Sequence, residues 1–241
     1  MEITTEKDDK KVTTKTESHP YNYPNFKAEF YQFHDFTGLE EGDQFVDFEL
    51  TTLQGEKAKI SDFLDKPLVF EMGSISCPMY AGHVTPMQEI ARRHPEYNFV
   101  VLYVREAHPG EKITNHTTFE KKMYAATEAS KFYDDHRTIL IDEVDGRAHK
   151  VYGALPNTVY VIDTDGTIKF VKAWNNTDYL EPVLEHITKG RSTNELKFRP
   201  AKPGLIQSYK TFKKCGRVSL TDFLYHLPKL LWKHYKAGNL F

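Results

Sequence analysis

Apolar positions change their period several times along the chain, and each change marks an element. Residues 43–50 alternate polar and apolar, the period of a half-buried strand. Gln54, Gly55 and Glu56 follow as a turn, and residues 61–64 read as a helical turn capped by Ser61. Leu68, Val69, Phe70 and Met72 lie between Pro67 and Gly73, which predicts a central strand covered on both faces. Residues 77–94 carry Val84, Met87, Ile90 and Ala91 at helical spacing, with Pro86 as a kink. A second buried strand spans 98–104, and 116–133 reads as an amphipathic helix through Phe119, Met123 and Ala126. A third strand at 138–142 leads to a short helix over 146–152. Strand patterns at 158–162 and 167–171 flank Asp163-Thr164-Asp165-Gly166, a hairpin signal, and 179–187 is a further helix. This β-α-β…β-β-α order predicts an α/β domain with a mixed central sheet and helices on both faces.

The two ends differ from this middle. Residues 1–20 are charged and Thr-rich and are expected to form a disordered tail. Residues 21–40 hold Tyr21, Tyr23, Phe26, Phe30, Tyr31, Phe33 and Phe36, an aromatic arm expected to lie on the domain at 41–190 or on a partner chain. From Arg191 to the end the chain turns basic, and Pro200 and Pro203 interrupt it. Leu220, Phe223, Leu224, Leu227, Leu230 and Leu231 then recur at helical spacing with Lys229, Lys233 and Lys236 between them. Such a C-terminal helix docks on its own domain or on a twin subunit more often than on a membrane. A homodimer therefore stays open, and membrane contact is not expected.

Composition narrows the classes. The 241 residues suffice for one large domain or two small ones, and a net charge of -2 gives no reason to expect nucleic acid. No run approaches the roughly 20 apolar residues that span a bilayer. The first residues have no apolar core, so no signal peptide is expected and the cytoplasm is the default compartment. Two cysteines do not make a disulfide scaffold. Asn115 and Asn175 fit the glycosylation pattern, which is taken as chance. No metal or bound cofactor is expected.

The chemistry centres on Cys77. It follows the central strand through Gly73, Ser74, Ile75 and Ser76, and Pro78 opens the next helix. A thiol at a helix N-terminus meets unpaired N–H groups and the positive dipole end, which favour thiolate. Cys77 is therefore expected to be accessible, with a depressed pKa. A small buried hydrophobe is the plainer reading of such a cysteine. Tyr80 stands where a Cys-x-x-Cys motif would place its second thiol, so a neighbouring dithiol is excluded. Ser74 and Cys77 echo the Ser-x-x-Cys of peroxiredoxins, although Phe70 replaces the proline of that motif. Cys215 is the only internal candidate for a resolving thiol; a lone late cysteine is more often free.

The run Tyr152-Gly153-Ala154-Leu155-Pro156-Asn157-Thr158 completes a pattern. Pro156 matches the proline that thioredoxin-like proteins set opposite the reactive cysteine, usually after a cis peptide bond. Gly42-Asp43, Asp47-Phe48, Leu50, Gly55, Ser61-Asp62-Phe63 and Lys66-Pro67-Leu68-Val69 resemble the redoxin branch of that superfamily. Phe70-Glu71-Met72-Gly73-Ser74-Ile75-Ser76-Cys77-Pro78 resembles the active-site turn of iodothyronine deiodinases, in which the position of Cys77 is usually selenocysteine. Leu102-Tyr103-Val104-Arg105-Glu106-Ala107-His108-Pro109 resembles the second hallmark of that family. Ile113-Thr114-Asn115-His116 resembles the segment carrying its other functional histidine. The resemblance covers residues 40–190.

The resemblance implies a thioredoxin-like (redoxin) fold carrying a C-terminal helical extension. It implies Cys77 as nucleophile, Ser74 and Ser76 as hydroxyls lining its turn, and Glu106, His108 and His116 as a proton relay. The residues agree: Glu106 and His108 fall at the C-terminal end of a strand beside the cysteine strand, where open α/β sheets place ligands. A carboxylate beside imidazoles can hold one of them protonated as a general acid. A cap on the following loop is the alternative for Glu106 and His108, and a water-facing helix start is the alternative for His116.

The implied activity is reductive dehalogenation of an iodinated aromatic, with a small-molecule substrate and an external thiol reductant as partners. A one-cysteine, peroxiredoxin-like thiol peroxidase and a non-catalytic redoxin-fold interaction protein are the alternatives. The chain departs from vertebrate deiodinases in four ways. Cys77 replaces selenocysteine, an N-terminal membrane anchor is not seen, Lys172-Ala173-Trp174-Asn175-Asn176 lacks the expected glycine-arginine run, and the extension from Arg191 has no counterpart.

Overall fold

The computed structural model describes residues 20–31, 36–199 and 201–237, so the expected N-terminal tail lies outside the described residues. Among them seven strands form one sheet: β1 (Glu49–Thr52), β2 (Lys57–Lys59), β3 (Leu68–Gly73), β4 (Asn98–Tyr103), β5 (Thr138–Ile141), β6 (Val159–Ile162) and β7 (Ile168–Lys172). Their order is β2-β1-β5-β4-β3-β6-β7. Parallel pairing joins β3 to β4, with Leu68 opposite Asn98 and Gly73 opposite Tyr103, and joins β4 to β5. The remaining pairs are antiparallel.

Six helices accompany the sheet: α1 (Pro78–Arg93), α2 (Phe119–Tyr133), α3 (Arg147–Val151), α4 (Thr177–Thr188), α5 (Leu205–Cys215) and α6 (Arg217–Lys236). Every residue of β3 is buried because helices or loops cover both its faces. Phe70, Met72 and Leu102 pack with Tyr152, Tyr160 and Ala148 of α3 on one face. On the other, Val69, Phe99 and Val161 meet Met87 of α1 and Leu180 of α4, while Val101 and Ile139 meet Ala126 of α2. Each such fully buried side chain contributes about 1.5–3 kcal/mol. Pro78 sits at the first helical position of α1, where its missing N–H has no partner to lose.

The sequence pattern and the structure part company at several elements. The alternation at 43–50 is a strand only from Glu49. Its upstream part runs along β7 instead: Gly42 N–H donates to Ile168 O (2.8 Å) and Phe45 N–H to Gly166 O (2.9 Å). Ser61 does not cap its turn. The Asp62 carboxylate accepts from Lys59 N–H (2.7 Å), and Ser61 Oγ donates to Asp47 (2.7 Å). The helix read from residue 116 begins at Phe119, because Thr118 Oγ takes the Lys121 N–H (3.4 Å). α5 has no sequence forecast, since the prolines at 200 and 203 hide a helix that starts directly after them at Leu205.

The aromatic arm and the C-terminal helices lie against each other. Tyr23, Phe26 and Tyr31 are buried. The Arg105 guanidinium lies 4.9, 5.4 and 5.5 Å from the ring centres of Tyr21, Tyr23 and Tyr31. Lys233 Nζ of α6 donates to the carbonyls of Ala28 and Tyr31 (2.8 Å each), and Lys229 pairs with Glu29. No described helix is long and apolar enough to cross a membrane.

Candidate active site

β3 delivers Gly73 to the edge of the sheet, where a Cβ would lie 2.4 Å from the Tyr80 ring; only glycine lets the first turn of α1 fold back so closely. The chain then turns through Ser74, Ile75 and Ser76, closed by Cys77 N–H donating to Ser74 O (3.1 Å). Cys77 is the N-cap residue of α1.

A second segment, the end of β4, is laced to this turn by both serines. Ser74 Oγ accepts the Ala107 N–H (3.3 Å), and Ser76 Oγ accepts the His108 N–H (3.1 Å) while donating to Glu106. Glu106 Oε2 also takes the Ser76 N–H (3.1 Å), and Glu106 Oε1 takes Tyr103 OH (2.6 Å). His116 Nε2 stands 3.0 Å from Glu106 Oε1, with both side chains buried. Burial pushes the Glu106 carboxyl up, but the His116, Ser76 and Tyr103 contacts outweigh it and hold the group below the usual carboxylate range.

Of the three residues expected in one relay, Glu106 and His116 come together, beside the turn hydroxyls of Ser74 and Ser76. His108 does not join them. Its backbone binds Ser76, but its ring lies between Phe26, Phe212 and Phe223, with ring centres 4.3, 5.4 and 5.4 Å away. Burial alone lowers its pKa to about 3, so it is a neutral imidazole at neutral pH rather than the expected imidazolium. Its Nδ1 has no hydrogen-bond partner among the described residues. His116 is not a water-facing helix start: it is 1% exposed.

Cys77 is also not the accessible thiolate that its local setting implies. It is 2% exposed, and burial pushes its pKa up to about 12. The backbone N–H groups of Met79 and Tyr80 pull it down, as a helix N-terminus should, but desolvation wins. The cover comes from remote segments: Phe26 and Tyr31 of the arm, Trp174 beyond β7, and Phe223, Leu227 and Leu230 of α6 all line the cavity that Cys77 faces. Cys215 is buried with a raised pKa for the same reason. Both cysteines are free thiols.

Pro156 lines the same cavity as Cys77, as the expected proline should. Its peptide bond is trans, however, as are all peptide bonds among the described residues. Gly153 (φ +99°) and Ala154 (φ +55°) bend the chain just before it, and Pro156 stands in a turn that leads into β6. A Cβ at Gly153 would meet the Phe36 ring at 2.4 Å.

Sequence reasoning passed over a buried ionic group behind the thiol. Glu71, inside the apolar β3 run, accepts from Arg137 Nη1 (2.7 Å) and from the amides of Asn175 (2.8 Å) and Asn157 (3.3 Å). Arg137 is tied in turn to Asp135, which also takes the Tyr80 hydroxyl (2.7 Å). The signal was present: a carboxylate in mid-strand with both faces covered must have partners.

This sheet order, with a cysteine at the N-terminus of the helix after a central strand, defines a thioredoxin-like protein. Two solved structures share the fold. The thioredoxin domain of a thiol-disulfide oxidoreductase from Bacteroides vulgatus is 12% identical, with a TM-score of 0.50 over 62% of this chain and 99% of that one. An uncharacterized conserved protein from Geobacillus kaustophilus is 18% identical, with a TM-score of 0.53 over 68% and 94%. At these identities they establish the fold alone. The thioredoxin-like protein YneN of Bacillus subtilis (strain 168) is 26% identical over 132 residues, 55% of this chain and 71% of that protein. The family profile described as iodothyronine deiodinase matches residues 4–181. The chain belongs to the iodothyronine deiodinase family. The match reaches upstream through the aromatic arm and stops within α4, before the C-terminal extension. Family and fold together support a thiol-dependent redox function.

Proposed function

We propose that this protein is a thiol-dependent reductive dehalogenase of an iodinated aromatic, with Cys77 as the attacking group. The observation that carries the reading is that the Cys77 thiol and the His108 imidazole, both uncharged at rest, face one otherwise apolar cavity. His108 relays the thiol proton to the ring carbon within the attack step and does not hold it as a free imidazolium, since its pKa of about 3 lies far below the thiol's. The Met79 and Tyr80 N–H groups stabilise the negative charge that develops on sulfur. The sulfur attacks iodine. The S–I bond forms, the C–I bond breaks, and its electron pair stays on the ring carbon, which takes the proton from His108. One external thiol then displaces iodide to give a mixed disulfide. A second thiol releases Cys77 and leaves as the disulfide, so the sum is ArI plus two thiols to ArH, a disulfide and HI. Glu106 and His116 act by position in this scheme: through Ser76 they hold both the cysteine turn and the His108 backbone.

The test is iodide release from 4-iodophenol in dithiothreitol, run beside hydrogen peroxide reduction. Iodide release that is lost in Cys77→Ser supports the dehalogenase. Peroxide turnover without iodide release replaces it with the thiol peroxidase, and inertness to both leaves the interaction protein. His108→Ala should lower iodide release by about 10²–10⁴-fold, the usual range for a lost acid–base group.

A further inference from the structure

The cavity over Cys77 has a volume of about 150 Å³. Nearly half its wall lies outside the family match: eight of its seventeen lining residues, from Ala201 to His234, lie beyond residue 181, where that match ends. The wall is built largely from Phe26, Trp174, Phe223, Leu227 and Leu230, and among the described residues no Lys, Arg, Asp or Glu lines it. Its titratable members are neutral: burial raises Cys77 and lowers both His108 and His234. The polar side chains of the wall include Ser208, His234 and His108, and His108 is 8% exposed.

We infer that the C-terminal extension makes this site selective for a single uncharged phenolic ring, and that it excludes two-ring iodinated amino acids. The inference rests on the dehalogenase reading above. A largely apolar cavity of about 150 Å³ accepts one benzene ring. A second ring exceeds this volume and would have to lie in the cavity mouth or displace α6. An α-amino acid headgroup would bring two charges against a wall whose described residues offer no counter-ion, and desolvating them there is costly. A phenol hydroxyl suits the site, because the wall keeps a few polar side chains, Ser208, His234 and His108, to which it can donate or from which it can accept. α6 itself is fastened over the site by Ser219 Oγ donating to His108 O (2.7 Å) and by Glu111, which accepts the Arg217 and Val218 N–H groups (2.6 and 2.9 Å).

Binding tests this apart from turnover. The Cys77→Ser protein is titrated calorimetrically with 4-iodophenol, 3-iodotyrosine and 3,5-diiodothyronine. The expected order is saturable binding of 4-iodophenol, with the two amino acids at least tenfold weaker. Leu230→Trp, which fills the cavity from α6, should weaken 4-iodophenol at least tenfold, and Leu227→Phe serves if that variant does not fold. Equal or tighter binding of diiodothyronine, no binding of 4-iodophenol, or indifference to both filling variants overturns the inference. Tight 4-iodophenol binding with no iodide release by the wild type upholds the pocket and removes the dehalogenase. Iodide release from diiodothyronine but not from 4-iodophenol does the reverse.

Discussion

Alkylation of Cys77 tests the most consequential feature of the site, its cover. With a pKa of about 12, the thiolate fraction at pH 8 is about 10⁻⁴, against about 0.2 for a free cysteine of pKa about 8.5. Iodoacetamide should therefore modify Cys77 about 10³-fold more slowly than a free thiol at that pH. The rate should keep rising tenfold per pH unit to pH 10 and beyond. Measured on Cys215→Ser by mass spectrometry of the tryptic peptide, the profile reports Cys77 alone. Lys229→Ala/Lys233→Ala removes the pair with Glu29 and two bonds to the arm carbonyls. At about 0.5 kcal/mol for each of these three partly exposed contacts, α6 should lift roughly tenfold more often, with alkylation faster by the same factor. A wild-type rate that levels off near pH 8.5 would refute the covered site and restore the locally activated thiolate.

Three further outcomes follow from the buried groups. Arg137→Ala leaves Glu71 charged and unpaired in the central strand and should cost about 3–5 kcal/mol in denaturant unfolding; a loss below 1 kcal/mol would mean that Glu71 folds without its partner. Glu106→Gln should lower stability by about 1–3 kcal/mol, because Tyr103, Ser76 and His116 lose a charged acceptor, and an unchanged melting temperature would show that this cluster does not hold the turn. His108 is held neutral by the fold, so its contribution is complete above the ordinary histidine pKa of about 6.5 and is lost as pH falls toward 3, at about 1.4 kcal/mol per unit. Wild type should thus lose roughly 2–3 kcal/mol more than His108→Phe between pH 6.5 and 4.5, and parallel curves for the two would contradict a buried neutral ring.

Much of the molecule can be read from short stretches of chain. The run at Leu68–Gly73 and the turn through Ser76 into Pro78 are written locally, since apolar runs and a proline at a helix start act on their own neighbours. The place of Glu106 was legible too, because a parallel neighbour strand must end beside the cysteine turn, whereas His116 was joined to it only by the family resemblance. The charge state of the site was not. A helix N-terminus favours a thiolate, and that term is present at Cys77, but the opposing desolvation comes from residues 26–31 and 217–236, far from it in sequence. The same holds for His108, whose ring is turned away from Glu106 into a cage formed by Phe26, Phe212 and Phe223. Glu71 stood in plain view within β3, yet its partners Arg137, Asn157 and Asn175 meet only when the sheet and its loops close around it. Local sequence sets which groups are offered at the site. The exclusion of water by remote segments sets their protonation and the size of what they can meet.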